Sequence, residues 1–367
     1  MRNSLGRFCS GVRPLGEQQH GHVPVFCQLL DASTYSLAFE PGSAAYQVLG
    51  NDQSRFSPPR SLPPILDLEL PDRESGFYVL TRYAYSEGAF QLLEDRLAEG
   101  HVFGMNEFLG FAWSMAQSLA YLHRHGIVHG QWNARSVIVI PTERHARPFF
   151  EIPQHRFELI NTGVCFRDPA AIPEAFLERG YYPPEILLSG SPDYGALDAE
   201  GDVYCFAAFL KDLMQRASSA EELPSQARGI LAELQRQAGR RGFKTSPDSL
   251  QDKEMEILDH LYTIKVGSES LIQDGLRLRA DRCTAAQLLA SVKDLHQQAL
   301  SYLERLIEAG FEPVNVFGED LQHYTTFDLS ISPPRVNSYE DSEVVLTGRD
   351  LPHEFVRLTL NERHEGV

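Results

Sequence analysis

A long amphipathic helix signal runs straight into a polar loop and then into a short apolar strand, and this succession constrains the fold more than any other feature of the chain. Phe108, Leu109, Ala112, Met115, Ala116, Leu119 and Leu122 recur at three- and four-residue steps across Asn106–His125, which places them on one helical face. The loop that follows carries His129, Gly130, Gln131, Trp132 and Asn133, and Ser136–Ile140 then reads as a buried strand. Phe157–Ile160 is a second short strand, and Asp202–Gln215 is a helix so apolar that it must be enclosed on nearly all sides. Further helices are expected at about 224–238, 250–262, 268–279 and 284–309.

The part of the chain ahead of that helix has a different grain. Val25–Leu30, Tyr35–Phe39, Ala44–Leu49, Ile65–Leu70 and Phe77–Thr81 read as short strands separated by turn formers. Pro58, Pro59, Pro63 and Pro64 forbid a long regular helix between them. Residues 1–22 are expected to be a flexible leader, and residues 23–310 one large domain. Beyond Gly310 strand signals return at Thr325–Ile331, Ser342–Leu346 and Val356–Leu360, so 311–367 reads as a β-rich C-terminal extension. A small β-rich part followed by a larger helical part is an α+β layout.

Bulk properties exclude several function classes. A net charge of −17 argues against a dedicated nucleic-acid or anionic-membrane surface, both of which need basic patches. Cys9, Cys27, Cys165, Cys205 and Cys283 are scattered, with no Cys-x-x-Cys pair, which disfavours a disulfide framework or zinc site and fits a reducing, cytoplasmic setting. The longest apolar stretch, Phe108–Leu122, contains Ser114, Gln117 and Ser118, and is too short and too polar to span a bilayer.

The order of motifs then points to a family. Tyr121-Leu-His-Arg-His-Gly-Ile-Val-His129 followed by Gly130-Gln131-Trp132-Asn133-Ala134-Arg135-Ser136 resembles the end of a protein-kinase helix running into the catalytic loop, His-Arg-Asp-Leu-x-x-x-Asn. Glu158-Leu-Ile-Asn161-Thr162-Gly163 resembles the strand ending in Asp-Phe-Gly, and Tyr181-Tyr-Pro-Pro-Glu185 resembles the Ala-Pro-Glu region. Gly201-Asp202 resembles the start of the buried central helix, and Asp281-Arg282 the late Arg-bearing segment. The resemblance spans roughly residues 23–300 and implies a two-lobed protein-kinase-like fold, with a reduced β-rich N-lobe and a mainly α-helical C-lobe.

The chemistry of that family is missing at each position the resemblance identifies. Gln131 stands at the catalytic Asp, and an amide oxygen is a far weaker base than a carboxylate. Ser136 and Asn161 stand at the two magnesium ligands, and magnesium prefers carboxylates. Ala44-Ala45-Tyr46-Gln47 is the best match to the Val-Ala-Ile-Lys strand, placing Gln47 at the phosphate-binding Lys. The turn Asp31–Tyr35, taken as the phosphate-covering loop, has no glycine. No catalytic residue, metal or cofactor is therefore expected. What remains is architectural: His129, Gly163, the Glu185 and Arg282 ion pair, and Asp202, implied to bond the catalytic-loop backbone. Thr81, Arg82, Tyr83 and Ala84 resemble the adenine hinge, which leaves room for weak, metal-independent ATP binding. The resemblance thus implies a pseudokinase that acts as a binding scaffold or allosteric regulator, with protein partners such as an active kinase or a signalling protein. The alternative is a divergent active Ser/Thr-type kinase or nucleotidyl transferase, which needs a replacement carboxylate; Glu158 and Asp168 are the nearest in sequence.

Overall fold

Backbone pairing organises the first part of the chain. In the computed structural model, Arg2–Asn3 (β1), Gly6–Pro14 (β2) and His22–Asp31 (β3) are successive antiparallel strands. Tyr35–Leu37 (β4), the helix Ala44–Leu49 (α1), Ile65–Glu69 (β5) and Phe77–Tyr83 (β6) follow. β6 pairs with β3, and β5 pairs with β6, which gives a sheet of order β1-β2-β3-β6-β5 with β3 at its centre. The structure describes residues 2–3, 6–14, 22–50, 58–71, 76–83, 91–100, 103–141, 155–167, 172, 174–187, 197–217, 222–240, 243–244, 250–310, 312–313, 335–340, 343–347 and 355–359.

Two expectations are corrected here. Residues 6–14 are not part of a flexible leader: they pair along β3 from Arg7 opposite Leu29 to Pro14 opposite His22. Ala44–Leu49 is a helix and not a strand, because Ser43 caps it by accepting the Tyr46 N–H at 3.1 Å, the two alanines are strong helix formers, and Gly50 ends it. A capping residue ahead of a short apolar run outweighs the run's strand-like look.

The rest of the chain is mainly helical. Gln91–Leu92 (β7) leads into Leu93–Ala98 (α2) and Met105–Arg124 (α3). Val137–Pro141 (β8) and His155–Leu159 (β9) pair antiparallel, with β7 on the outer edge of β8. Val164–Phe166 (β10), Glu174–Glu178 (α4), Pro184–Leu187 (α5), Ala199–Ala217 (α6) and Glu222–Arg240 (α7) come next. Phe243–Lys244 (β11) precedes Leu250–Leu276 (α8), which is one continuous helix where two were expected. Ala285–Gly310 (α9), Glu312–Pro313 (β12) and a meander of Arg335–Glu340 (β13), Glu343–Thr347 (β14) and Phe355–Thr359 (β15) complete the α+β architecture. The expected strand at 325–331 lies outside the described residues, as does the connection between β8 and β9 at 142–154.

The chain divides into two compact units. One comprises Met1–Thr142, His155–Glu222 and Tyr262–Gln297; the other comprises Glu143–Gln154, Leu223–Leu261 and Gln298–Val367. In the first, α3 packs on α6 and β9 through an aromatic core. The Phe111 ring meets Phe157 edge-on at 5.0 Å and Phe209 at 5.8 Å, and Trp132 lies 4.6 Å from Phe206. Each such ring buries a large apolar area, so this cluster dominates the unit's cohesion. In the second unit, Leu223, Ala227 and Leu231 form the buried stripe of α7, and His260 stacks on Tyr302 at 3.9 Å. Among the described residues no helix is long and apolar enough to cross a membrane.

Candidate functional site

The site is built where α3 ends. Gly126, at φ 71°, lets the chain reverse: its N–H bonds the His123 carbonyl and the Ile127 N–H bonds the Leu122 carbonyl, the pair of contacts that closes a helix at a left-handed glycine. The loop so released passes under the first turn of α6, where Asp202 is fully buried. Asp202 Oδ2 accepts the His129 N–H at 2.9 Å and lies 2.9 Å from His123 Nε2. Its Oδ1 accepts the Gly130 N–H at 2.9 Å and the indole N–H of Trp132 at 2.8 Å. Burial alone would push this carboxyl up. The hydrogen bond and charge of His123 and the Gly130 N–H together outweigh burial and hold it below the usual carboxylate range. A carboxylate in the first turn of a helix also suits the macrodipole.

His129 is held in one tautomer. Its Nε2 faces the Ile160 carbonyl at 2.8 Å, which can only accept, while its Nδ1 faces the Gln131 N–H at 3.1 Å, which can only donate. The ring is therefore neutral with the proton on Nε2. Both nitrogens are occupied and the ring is fully buried, so His129 supports the loop and is not placed as a base.

Beside the loop runs a chain of neutral hydrogen bonds. Gln28, on central strand β3, donates from Nε2 to Asn161 Oδ1. Asn161 Nδ2 donates to Ser136 Oγ at 3.1 Å. All three side chains are fully buried. Asn161 has φ 63°, a left-handed conformation that asparagine tolerates better than most residues. Around this chain the Gln28 Oε1, both amide atoms of Gln131 and the Thr162 hydroxyl are buried without a hydrogen-bond partner among the described residues.

Gln28 lies on β3 and Gln47 on α1, so the two glutamines belong to different elements. Gln47 is exposed on α1, where its amide reaches back to the Gly42 carbonyl at 3.4 Å, far from the role expected of it. The turn Asp31–Tyr35 joins β3 to β4. Asp31 serves that turn by accepting the Ser33 N–H and hydroxyl, and these bonds hold its carboxyl below the usual range. A buried polar residue on an otherwise apolar strand face was the available signal for Gln28: it shares that face with Leu30 and sits opposite Leu80.

The segment after Asn161 closes onto the segment after β3. β10 pairs with β4, Val164 opposite Leu37 and Phe166 opposite Tyr35, and the Ala38 N–H bonds the Gly163 carbonyl at 2.7 Å. Arg167 locks the end, with Nε donating to the Tyr35 carbonyl and a terminal nitrogen donating to the Tyr78 hydroxyl, both at 2.9 Å. Gly163 has φ 70°, and a Cβ there would come within 2.7 Å of the Phe39 ring. Two demands, backbone and space, thus select glycine at this one position.

The remaining expected residues are dispersed. Arg282 donates to Glu185 Oε1 at 2.8 Å and to the Glu200 carbonyl at 2.9 Å, with its guanidinium over the Tyr204 ring at 5.0 Å. Thr81, Arg82 and Tyr83 lie within β6: Thr81 opposite Cys27, Tyr83 opposite Val25, and Arg82 between Phe26 and Ile65 of the two flanking strands. Ala84 lies outside the described residues, as does Asp168. Glu158 is fully buried and paired with Arg156 at 2.6 Å. No protein-family model matches the chain, and no curated protein matches it.

Proposed function

We propose that the chain is a pseudokinase, a protein-kinase-like domain that works by binding and not by phosphoryl transfer. The observation that carries this reading is the closed chain Gln28–Asn161–Ser136. In the resembled pattern these positions hold a lysine on the third strand, the aspartate that ligates magnesium and a second metal ligand. Here they are two amides and a hydroxyl bonded to one another and shut away from solvent. No formal charge is left to hold a divalent ion or to neutralise a transferring phosphate, a loss of several kcal/mol from the transition state. Gln131, at the position of the base, adds no carboxylate.

The rest of the arrangement supports a two-lobed kinase-like organisation. A sheet whose third strand faces the Asn161 turn is followed by a helix-rich part. Its loop is anchored to the buried Asp202 and its late arginine to Glu185. The partner class that fits is another protein, such as an active kinase or signalling protein in the cytoplasm, where the free thiols of Cys27, Cys165, Cys205 and Cys283 would stay reduced. The competing reading, a divergent kinase or nucleotidyl transferase, needs a carboxylate near Asn161. Glu158 is already committed to Arg156, which weakens it.

The test is a phosphotransfer assay with labelled ATP, run with thermal-shift titrations of ATP with and without magnesium. The reading expects no transfer and no magnesium-dependent stabilisation. A large magnesium-dependent shift, or transfer that disappears in Asn161→Ala, sinks it.

A further inference from the structure

A cavity opens beside the loop that follows α3. It encloses about 380 Å³ between β4, β10, the start of α1 and the 126–130 turn. That is within the roughly 300–1,000 Å³ of small-molecule sites. Phe39, Ile127, Phe166 and Tyr182 are its buried walls, while exposed Ala38 and Gly126 bring its rim to the surface.

Its chemistry is set by what is missing. Gly130 lines the cavity, and in the His-Arg-Asp pattern that this loop resembles, Gly130 stands at the arginine. A side chain that would fill the space and charge it is thus replaced by a hydrogen. No side chain lining the cavity among the described residues is charged, and none is a histidine. Its polar ends are hydroxyl and thiol groups: Ser36, Tyr182 and Cys165. The Cys165 thiol is pushed up by burial and by the nearby Asp202 charge, so it stays protonated at neutral pH and adds no anion. Among the described lining residues an anion entering here would find no counter-charge for its lost hydration, whereas an apolar ligand gains from leaving water.

We infer that this cavity is a binding site for an uncharged, largely apolar small molecule carrying a hydroxyl or carbonyl group. The inference rests on the kinase-like reading only for naming Gly130 as a vacated arginine position; the volume and the neutral lining stand without it.

The probe is 2-naphthol, with 2-naphthoate as its anionic counterpart of similar size. The full chain is titrated and binding is read by naphthol fluorescence and by thermal shift. Saturable binding of 2-naphthol is expected, with 2-naphthoate more than about tenfold weaker. Filling the cavity by Ala45→Trp or by Cys165→Phe is expected to weaken 2-naphthol by more than about tenfold while a cooperative unfolding transition persists. Two independent variants guard against one failing to fold, and the wild-type comparison of the two probes decides without either. Absence of saturable binding overturns the inference, as does equal binding of the anion or wild-type affinity in both folded variants. Phosphotransfer by the wild-type chain would instead sink the proposed function and leave the cavity untouched.

Discussion

Gln28 and Asn161 are separated by most of the β-rich part of the chain, yet the amide of the first donates directly to the carbonyl oxygen of the second. Neither is charged, and Asn161 passes the bond on to Ser136. A lysine facing an aspartate across the same gap would hold cations and phosphates. Here one amide bonds to another instead.

Restoring a carboxylate at that point is expected to harm the fold before it helps any chemistry. Asn161→Asp removes the donor to Ser136 and introduces a buried charge with no cation beside it. A loss of about 1–3 kcal/mol is expected in urea unfolding at neutral pH. The double variant Gln28→Lys with Asn161→Asp should recover part of that loss by pairing the charges. Equal stability of Asn161→Asp and wild type would show that the hydrogen-bonded chain does not constrain the site.

Asp202 is expected to be the most sensitive buried polar residue. Asp202→Ala leaves the His129 and Gly130 N–H groups and the Trp132 indole without an acceptor, and should destabilise by about 3–5 kcal/mol. The pH dependence has a definite sign. The folded-state carboxyl lies below its unfolded value of about 3.9. Its stabilisation is therefore complete above that value and is lost as pH falls through the folded value. The gap between wild type and Asp202→Asn, followed by urea unfolding, should shrink as pH falls below about 4. A gap that persists undiminished well below that value contradicts the arrangement.

Gly163 separates two effects in one residue. Gly163→Ala carries the left-handed backbone penalty of about 1–2 kcal/mol together with the collision with the Phe39 ring. In the background of Phe39→Ala only the backbone part should remain. A double-mutant cycle should thus give a favourable coupling of about 0.5–3 kcal/mol. Strict additivity would mean that the ring does not press on this glycine.

Arg282 and Glu185 are not equivalent partners. The arginine side chain is fully buried and the glutamate side chain is 31% exposed. Arg282→Ala should cost about 3–5 kcal/mol, because it strips Glu185 and the Glu200 carbonyl at once. Glu185→Gln keeps an acceptor and water can reach it, so about 1 kcal/mol is expected. Arg282→Lys should fall between wild type and the alanine variant, since one ammonium can still serve the two acceptors bonded by Nη1 but loses the Nε donation to the Arg277 carbonyl and the planar stacking on Tyr204. Chemical denaturation of the three variants tests the ranking.

Local signals were legible and non-local ones were not. The periodicity of α3, its glycine stop and the polar loop after it are written in consecutive residues, and the structure has that helix and that turn. The apolar run of the short helix α1 looks like a strand, and Ser43, which caps it, is what makes it a helix. The break placed within α8 had no physical cause: Gly267 is accommodated in the helix, and it sits where a Cβ would strike Leu295. The approach of Gln28 to Asn161 was not legible, because it depends on how strands distant in the chain pair. A strand such as β2 has little identity of its own until a partner pairs with it.

Residue identity alone settled that the positions resembling a kinase's acids and its lysine carry no charge, because that is a property of side-chain chemistry and needs no geometry. That Gln28 closes onto Asn161, and that the cavity beside Gly130 has an uncharged lining among the described residues, were decided by the pairing of β2, β3 and β6 and of β4 with β10. Pairing register depends on hydrogen bonds and packing between segments distant in the chain, and no short window of sequence contains both sides of such a contact.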